Sequence, residues 1–263
     1  ITAENDTPVT DATSSLSVTE DTAATGTIAA TDIDGDTLSY TYSTPSKGTV
    51  AQTTAGAYSY TPTANATGAD SFTATVSDGT ESVTQTVNVS ISSVDDTPVA
   101  DSTSSLSVTE DTAASGTITA TEVDGQNLIY TYSSPSKGAI VSDNGSYIYT
   151  PTANATGVDS FTATVSDGTE SVTQTVDVNI AAENDTPVTD ATNSLSVTED
   201  TAVNGTITAI DIDGDTLSYT YSTPSKGTVA QTTAGSYTYT PTANATGVDS
   251  FTATVSDGTE SVT

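Results

Sequence analysis

The sequence lacks histidine, cysteine, methionine and tryptophan altogether. Without thiolate or imidazole ligands, it offers no usual site for zinc, haem or an iron–sulfur cluster. The Ser-His-Asp and Cys-His forms of nucleophilic catalysis are excluded as well, because both need a histidine base. Chemistry carried by carboxylates alone stays open, and the absence of cysteine leaves the cellular compartment undecided.

Positive charge is nearly as scarce. The chain of 263 residues has 3 basic residues against 34 acidic ones, which gives a formal net charge of −31. Phosphate contacts require lysine and arginine, so this balance excludes a nucleic-acid partner and disfavours an anionic membrane surface. Such strong self-repulsion makes bound counter-ions a part of the folded state.

Long apolar segments are missing too. No run approaches the roughly 18 residues of a membrane-spanning helix, so no membrane insertion is expected. No signal peptide opens the sequence. We therefore expect the chain to be an internal segment of a longer protein.

The sequence consists of three copies of one repeating unit. Asn5-Asp6-Thr7-Pro8 returns at Asp95-Asp96-Thr97-Pro98 and again at Asn184-Asp185-Thr186-Pro187. A unit of about 90 residues can fold around its own core, so each copy is a domain rather than a solenoid repeat. The predicted boundaries are residues 1–4 (the end of a preceding repeat), 5–94 (repeat 1), 95–183 (repeat 2) and 184–263 (repeat 3).

Within each unit, apolar and polar residues alternate with a period of two, which is typical of half-buried strands. In repeat 1 seven such stretches are centred on Leu16-Ser17-Val18, Ile28-Ala29-Ala30, Leu38 to Tyr42, Thr49-Val50, Tyr58-Ser59-Tyr60, Phe72 to Val76, and Val83 to Ile91. Turn signals separate them. The pattern predicts an all-β chain of tandem seven-stranded Greek-key β-sandwiches of immunoglobulin type.

Short motifs between the strands predict where the chain turns. Ser77-Asp78-Gly79-Thr80 predicts a hairpin between the last two strands, and Pro45-Ser46-Lys47-Gly48 predicts another turn. Repeat 2 is one residue shorter, and we expect a shorter turn at Asp143-Asn144-Gly145 to account for this.

Repeat 3 stops before the Gln-Thr-Val-x-Val run of the other copies. We therefore expect it to lack its last strand and to expose an unpaired edge, unless another chain or the opening segment fills it.

The most acidic stretch is Asp32-Ile33-Asp34-Gly35-Asp36, which returns as Asp211-Ile212-Asp213-Gly214-Asp215 and, altered, as Glu122-Val123-Asp124-Gly125-Gln126. Carboxylates at alternate positions around a glycine turn can converge on one point, where they repel unless a hard cation lies between them. Calcium is the expected ion. An EF-hand is excluded, because Thr37 and Ser43 stand where that loop requires glycine and glutamate.

Together these motifs resemble the cadherin repeat. They run Val-Thr-Glu-Asp, Gly-Thr-Ile, Ala-Thr-Asp-Ile-Asp-Gly-Asp, Phe-Thr-Ala-Thr-Val-Ser-Asp-Gly and Asn-Asp-Thr-Pro-Val. They are most similar to the cadherin-like tandem repeats of large secreted bacterial surface adhesins of the RTX type. The likeness covers essentially the whole chain, three times over.

The resemblance implies calcium between successive domains, held by a glutamate of one domain, the linker, and the aspartates of the next. At the boundary of repeats 1 and 2 it implies the ligands Glu20, Asp95, Asp96, Glu122, Asp124 and Asp167. At the boundary of repeats 2 and 3 it implies Glu110, Asn184, Asp185, Asp211, Asp213 and Asp257, with Asp111 and Asp215 in reserve. At the front it implies Asp6, Asp32, Asp34 and Asp78, which would face a domain that is not present.

Two departures from the family pattern qualify this expectation. The Leu-Asp-Arg-Glu stretch of animal cadherins is replaced by Thr63-Ala64-Asn65-Ala66-Thr67-Gly68, so fewer ions are expected at each boundary. Repeat 2 carries Glu122 and Gln126 where repeat 1 has Asp32 and Asp36. We therefore expect weaker calcium binding between repeats 1 and 2 than between repeats 2 and 3.

Four other features of the sequence admit more than one interpretation. The single lysine of each repeat (Lys47, Lys137 and Lys226) could form an isopeptide bond, but a turn lysine beside a surface acid is the simpler interpretation. Asn65-Ala66-Thr67 fits a glycosylation acceptor, but in a chain so rich in asparagine, threonine and serine, coincidence and turn chemistry explain it better. The tyrosines could form a sugar-stacking platform, but alternation along the strands predicts that half of them are core residues and half are exposed cross-strand pairs. Paired carboxylates could cleave glycosides, but no feature indicates a pocket, so no enzymatic activity is expected.

The sequence thus predicts an extracellular, cell-surface protein. Its expected role is a calcium-rigidified extender of a bacterial surface adhesin that supports cell adhesion and biofilm formation, with the adjacent repeats of the same long chain as partners. The alternative is a carbohydrate-binding or homophilic adhesive module, with polysaccharide or identical chains as partners.

Overall fold

The computed structural model describes residues 4–190 and 192–263, and its regular structure within these ranges is entirely β. In repeat 1 the strands are β1 (Val9–Thr10), β2 (Thr13–Thr19), β3 (Ala24–Thr27), β4 (Ala30–Thr31), β5 (Ser39–Tyr42), β6 (Gly48–Thr54), β7 (Ala57–Pro62), β8 (Gly68–Ser77) and β9 (Ser82–Ser92). No helix of the described residues is long and apolar enough to cross a membrane.

The other two repeats follow the same order. Repeat 2 contains β10 (Val99–Ala100), β11 (Thr103–Thr109), β12 (Ala114–Thr117), β13 (Ala120–Thr121), β14 (Ile129–Tyr132), β15 (Gly138–Asp143), β16 (Ser146–Pro151), β17 (Gly157–Ser166) and β18 (Ser171–Ala181). Repeat 3 contains β19 (Val188–Thr189), β20 (Val203–Thr206), β21 (Ala209–Ile210), β22 (Ser218–Tyr221), β23 (Gly227–Thr233), β24 (Ser236–Pro241), β25 (Ala253–Ser256) and β26 (Ser261–Val262).

Repeat 1 is a sandwich of a four-stranded sheet, in the order β2-β9-β8-β5, and a three-stranded sheet, in the order β3-β7-β6. All neighbours are antiparallel except β2 and β9, which run parallel with Leu16 opposite Val89 and Val18 opposite Ile91. The predicted immunoglobulin-type all-β sandwich is confirmed. The hairpin at Asp78-Gly79 is confirmed as well, with Gly79 in the left-handed region at φ 101°.

One predicted strand is divided in two. A single strand was expected around Ile28-Ala29-Ala30, but β3 ends before this stretch and pairs with β7, while β4 begins at its last residue and pairs with the short strand β1. The chain therefore changes sheet at Ile28, whose backbone N–H donates to the carbonyl of Gly56 (2.7 Å). Strands that cross between the two layers of a sandwich commonly break in this way.

The core is a small aromatic cluster filled in by valine and isoleucine. Phe72 lies edge-on to Tyr58, with ring centroids 5.1 Å apart, and is stacked on Tyr60 at 6.3 Å. Val76, Val87 and Val89 are buried around them. Such offset and edge contacts each add about 0.5–1.5 kcal/mol beyond area burial, which matters in so lightly filled a core.

The tyrosines all point inward. Tyr58 and Tyr60 are buried, Tyr40 and Tyr42 are half-buried, and their counterparts in the other repeats follow suit. The expectation that half of them would be exposed was wrong. Side chains two residues apart lie on the same face of a strand, so each tyrosine pair faces one way as a unit.

Asp70, a partly buried residue of β8, fixes the turn before β6. Asp70 accepts hydrogen bonds from the Tyr60 hydroxyl (2.7 Å), the Ser46 hydroxyl (2.8 Å) and the Lys47 backbone N–H (2.9 Å). Partial burial acts to raise the pKa of Asp70, but these hydrogen bonds outweigh it and hold that pKa well below its usual range. The Lys47 ammonium donates to the carbonyl of Thr67 (2.6 Å) rather than to the surface acid that we expected.

The chain divides into two compact units. The first comprises residues 1–103, 118–132 and 162–175, and the second comprises residues 104–117, 133–161 and 176–263. The first unit holds repeat 1 and the acidic loop of repeat 2. In the second, repeat 3 forms sheets in the orders β20-β24-β23 and β22-β25-β26.

The residue missing from repeat 2 is a bulge residue. In repeat 1 the pairing of β6 with β7 shifts register between Gln52 and Thr54, whereas β15 and β16 pair without a shift up to Asp143 opposite Ser146. The hairpin turn keeps two residues in both repeats. The deletion therefore removes the bulge at Thr53 and leaves the turn length unchanged, which corrects the expectation of a shorter turn.

Candidate metal centre

The acidic loop of each repeat is shaped by its own first carboxylate. Asp32 Oδ1 accepts the backbone N–H groups of Asp34 (3.0 Å) and Asp36 (3.2 Å), and Gly35 adopts φ 79°. Asp211 and Glu122 make the same pair of contacts in their repeats. Glycine is needed at this turn because the left-handed region is strained for other residues. These contacts fix the conformation of the loop.

The linker before each repeat is tied to this loop. The backbone N–H of Asp6 donates to Asp34 Oδ2, that of Asp96 to Asp124 Oδ2, and that of Asp185 to Asp213 Oδ2, each at 2.8 Å. The hairpin joins them, because Asn5 donates to Asp78 (3.0 Å) and Asn184 to Asp257 (3.0 Å). Linker, acidic loop and Asp-Gly hairpin therefore meet at one end of the repeat.

A buried glutamate reaches the linker from the repeat before it. Glu20 follows β2, is 2% exposed, and accepts the backbone N–H of Val94 through Oε1 (2.6 Å). Glu110 is also 2% exposed and accepts the N–H of Glu183 (2.8 Å). Each glutamate is thus held by the chain that leaves its own repeat, so it is fixed relative to the following linker.

Among residues 4–190 and 192–263, four groups of three carboxylates each have one oxygen per residue within 4.8 Å of the others. At the boundary of repeats 1 and 2 the group is Glu20, Asp96 and Asp124. At the boundary of repeats 2 and 3 it is Glu110, Asp111 and Asp185. The other two are the runs Asp32-Asp34-Asp36 and Asp211-Asp213-Asp215.

Several carboxylate oxygens in and around these groups are buried without any hydrogen-bond partner. At the first boundary they are Glu20 Oε2, Asp95 Oδ2, Asp96 Oδ2 and Asp167 Oδ2, and elsewhere Asp32 Oδ2 and Asp211 Oδ2. A buried carboxylate oxygen without a donor is costly, and native structures keep few of them. Glu20 and Asp96 also belong to one of the carboxylate groups, where a cation bound by oxygen ligands would compensate them, so the donor set fits calcium.

The linker aspartates Asp96 and Asp185 have raised pKa values. Burial, together with the neighbouring charges of Asp124, Asp21 and Glu20, raises the pKa of Asp96. Burial and the charges of Asp213, Asp111 and Glu110 raise the pKa of Asp185 in the same way. Beside burial, which is the larger cause, the neighbouring carboxylates thus contribute to both shifts.

The other implied ligands are engaged in local contacts. Glu122 is bound by the N–H groups of its own loop, Asp95 accepts from the Gln126 side-chain amide, and Asp167 caps its hairpin turn through Oδ1. At the second boundary Asn184 bonds to Asp257, while Asp211 and Asp213 accept backbone N–H groups. The structure therefore places all of these residues near the linker, but only some of them in the carboxylate groups.

Two participants were not among the first-choice residues. Asp111, held in reserve in the sequence, belongs to the carboxylate group of the second boundary. Asn154 donates to Asp185 (3.2 Å), and its own backbone N–H is bound by Asp111 (3.1 Å). Both residues have positive φ, at 57° and 59°. Asp and Asn tolerate that region better than other non-glycine residues, which is the sequence signal that could have marked these turns.

The fold and these sites define a tandem immunoglobulin-like repeat protein. The bacterial Ig domain family matches the chain three times, over residues 5–90, 95–179 and 184–263. The chain therefore belongs to the bacterial Ig domain family. Repeats of this family are typical of extracellular or surface proteins, and the fold is typically non-enzymatic.

Solved structures of cadherin domains share the fold. The extracellular cadherin domains 1–5 of protocadherin gamma B2 superpose with a TM-score of 0.56 at 15% identity, covering 98% of this chain and 59% of that one. The PcdhgB3 EC1–4 structure gives a TM-score of 0.56 at 16% identity, covering 94% and 70%. The chain thus consists of bacterial Ig domain repeats whose fold is similar to that of cadherin domains.

A third similarity is to an endo-fucoidan hydrolase of glycoside hydrolase family 107, with 21% identity and 95% of this chain covered. Its TM-score of 0.33 is too low to support an argument. The chain covers 42% of that enzyme and 59% of the protocadherin gamma B2 chain, about half the length of these relatives. No curated protein matches the sequence.

Proposed function

We propose that these repeats form an extender region of a bacterial surface adhesin of the RTX type, and that calcium bound at the repeat boundaries makes it rigid. The observation that carries the proposal is the buried Glu20, whose Oε2 has no hydrogen-bond partner and lies in one carboxylate group with Asp96 and Asp124 of the next repeat. The cadherin-like fold and the raised pKa of Asp96 support it.

The physical role of the ion follows from the charges. Without a cation, carboxylates of two repeats repel each other across the linker, which favours bending and hydration. A divalent ion turns this repulsion into attraction and penalises bending. The ligands at the first boundary would be Glu20, Asp95, Asp96, Glu122, Asp124 and Asp167. At the second they would be Glu110, Asp111, Asn184, Asp185, Asp211, Asp213 and Asp257.

An extender also suits the composition of the surface. The outward residues are mostly serine, threonine and alanine, and the tyrosines that could have stacked on sugars are buried or half-buried. No specific observation favours the carbohydrate-binding alternative. The adhesin would use the repeats to hold a distal binding region away from the cell, in support of adhesion and biofilm formation.

The test is calcium binding by the full chain, measured by isothermal titration calorimetry and by thermal unfolding in calcium and in chelator. Glu20→Gln keeps the acceptor for Val94 and removes only the charge, so the variant should fold and bind fewer ions than the parent. Asp101→Asn removes one exposed charge outside the four groups and should bind as the parent does.

Small-angle X-ray scattering then addresses rigidity. The maximum dimension should increase when calcium replaces the chelator, and Glu20→Gln should reduce this increase. If calcium produces no heat, no stabilisation and no change in dimension, or if Glu20→Gln and Asp101→Asn behave alike, the proposal is wrong.

A further inference from the structure

The three-stranded sheet of repeat 2 ends in a strand that has no further neighbour among the described residues. The sheet has the order β12-β16-β15, so β15 (Gly138–Asp143) is an edge strand. An edge strand presents a row of unpaired N–H and C=O groups that another chain can pair with. Folded proteins commonly protect such edges with bulges, charges or very short strands, so the question is how β15 is protected.

The equivalent edges of repeats 1 and 3 carry a bulge that repeat 2 lacks. The pairing of β6 with β7 shifts register after Gln52, and the pairing of β23 with β24 shifts after Gln231. β15 pairs with β16 without any shift from Gly138 to Asp143. A bulge bends its strand and disrupts the row of hydrogen-bonding groups. Of the three equivalent edges, that of repeat 2 is therefore the regular one.

The outward face beside this edge is also more apolar in repeat 2. Val141 and Ile148 lie opposite each other on β15 and β16, and they are 70% and 47% exposed. In repeat 1 the same pair is Ala51 and Ser59, and in repeat 3 it is again an alanine opposite a hydroxyl residue. The regular edge and the apolar face thus occur together in one repeat, which is the combination that favours pairing with another strand.

We propose that β15 pairs antiparallel with β15 of a second copy of this chain, about a two-fold axis through Ile140. Such a contact is isologous, because the same edge serves both copies and every residue pair off the axis occurs twice. The three-stranded sheets of the two copies join into one continuous sheet, as when a strand adds to an exposed edge. This surface uses none of the residues of the four carboxylate groups.

The free hydrogen-bonding groups of β15 set the register. The turn between β15 and β16 has two residues, both with positive φ (43° and 88°), as in a type I′ turn. The residues that flank such a turn, Asp143 and Ser146, form a hydrogen-bonded pair, and such pairs alternate along an antiparallel ladder. The N–H and C=O groups of Gly138, Ile140 and Ser142 therefore point to the free edge.

An axis through Ile140 uses all of these groups. Ile140 lies opposite Ile140 of the second copy, and Gly138 lies opposite Ser142 on both sides of the axis. On the outward face Val141 lies opposite Ala139 of the second copy, so the exposed valines of the two copies are diagonal neighbours. An axis through Val141 would instead place Gly138 opposite the turn and lose its hydrogen bonds.

The charges at the two ends of β15 are complementary in this register. Lys137 precedes the strand and Asp143 ends it, and each lies opposite the other residue of the second copy. Residues 138–142 carry no charge, so no like charges meet within the ladder. The ammonium of Lys137 donates to the carbonyl of Thr156 (2.6 Å) and has two more hydrogens to donate. In a chain of net charge −31, this edge is thus a place where two copies meet without repulsion.

The first test is analytical ultracentrifugation of the full chain over a wide concentration range, with calcium and with chelator. Two short strands bury a small area, so we expect a weak dimer that forms as the concentration rises. Insertion of one threonine between Ser142 and Asp143 restores the bulge with which repeats 1 and 3 fold, and it should abolish the dimer. Glu20→Gln should dimerise like the parent, which separates this result from that of calcium binding.

A charged residue on the edge gives a second, matched comparison. Val141→Lys should weaken dimerisation by about tenfold or more, because the two-fold axis doubles the effect of each change. Val158→Lys makes the same change of charge at a position of β17 that is 76% exposed, and it should leave the dimer unchanged. Hydrogen exchange of β16 verifies that each variant is folded.

A charge swap tests the register. Lys137→Glu and Asp143→Lys should each weaken self-association severalfold, because each places like charges opposite one another. Asp143→Lys lowers the net negative charge of the chain, so general repulsion alone predicts the opposite effect. An equal mixture of the two variants should recover the dimer, because opposite charges then meet at both ends of the strand pair.

Three results would overturn the proposal. The first is a folded parent chain that stays monomeric at every attainable concentration. The second is a variant with the threonine insertion or Val141→Lys that dimerises as the parent does. The third is a dimer in which hydrogen exchange finds no added protection at the amides of Gly138, Ile140 and Ser142, since the contact would then lie elsewhere.

Discussion

A buried glutamine has a hydrogen-bond partner for its side-chain oxygen in repeat 1, but the equivalent glutamine of repeat 2 has none. Gln85 and Gln174 are each 3% exposed and occupy equivalent positions. Gln85 lies 2.8 Å from the Thr10 hydroxyl, but Gln174 Oε1 has no partner. The difference is explained by Ala100, which stands where repeat 1 has Thr10 in the same strand register.

Ala100→Thr should therefore stabilise repeat 2 by giving Gln174 its missing donor. A net hydrogen bond contributes about 1 kcal/mol, which for a domain of this size raises the melting temperature by about 4–8 °C. The gain stays near that value because the single hydroxyl hydrogen is shared with a backbone carbonyl, as it is at Thr10. The reciprocal change Thr10→Ala should lower the free energy of unfolding by about 1–3 kcal/mol, since it leaves the buried side-chain oxygen of Gln85 without a hydrogen-bond donor.

Urea unfolding followed by native-state hydrogen exchange assigns each change to its repeat. Ala100→Val is the control, because valine matches the shape and strand propensity of threonine but has no hydroxyl. If Ala100→Thr stabilises the protein no more than Ala100→Val does, the hydrogen-bond explanation for the orphaned glutamine is refuted.

Three further predictions follow from other parts of the molecule. Gln126→Asp, which restores the residue found at Asp215, should tighten calcium binding at the first boundary severalfold in calorimetry; unchanged affinity would contradict the idea that this boundary is the weaker one. Gly26→Ala should destabilise repeat 1 by about 1–3 kcal/mol in urea unfolding, because its Cβ would lie 2.3 Å from the Tyr58 hydroxyl oxygen; a neutral effect would refute the close packing. Because the folded-state pKa of Asp70 is lowered, its stabilising contribution is present above the unfolded pKa of about 3.9 and is lost as the pH falls further; Asp70→Asn should flatten acid unfolding below that pH, and an unaltered profile would count against it.

Period-two alternation was sufficient to predict the sandwich. Phe72, Ala74 and Val76 face the core as expected, and the Asp-Gly hairpin lies where its residues placed it. Alternation could not predict that the chain changes sheet near Ile28, because apolar side chains continue inward across the break between β3 and β4. Such a break depends on the partner strands, which are distant in sequence.

The boundary sites, too, could be predicted from the sequence only in part. The acidic runs could be recognised from their spacing and from the cadherin resemblance, whereas the role of Asp111 at the second boundary depends on a backbone with positive φ. The partners of Asp95 and Asp185, Gln126 and Asn154, are likewise a matter of side-chain placement. These contacts join residues about 30 positions apart, so a local pattern does not encode them.

The parallel pairing of β2 with β9 has a mechanical consequence. Because the two strands run in the same direction, the start of β2 and the end of β9 lie at opposite ends of the pair, with residues 13–19 aligned against residues 86–92. Tension applied through the flanking linkers would slide these strands along each other and load the whole ladder at once, rather than peel it open bond by bond. Repeat 1 should therefore resist extension when tension is applied through its two flanking linkers.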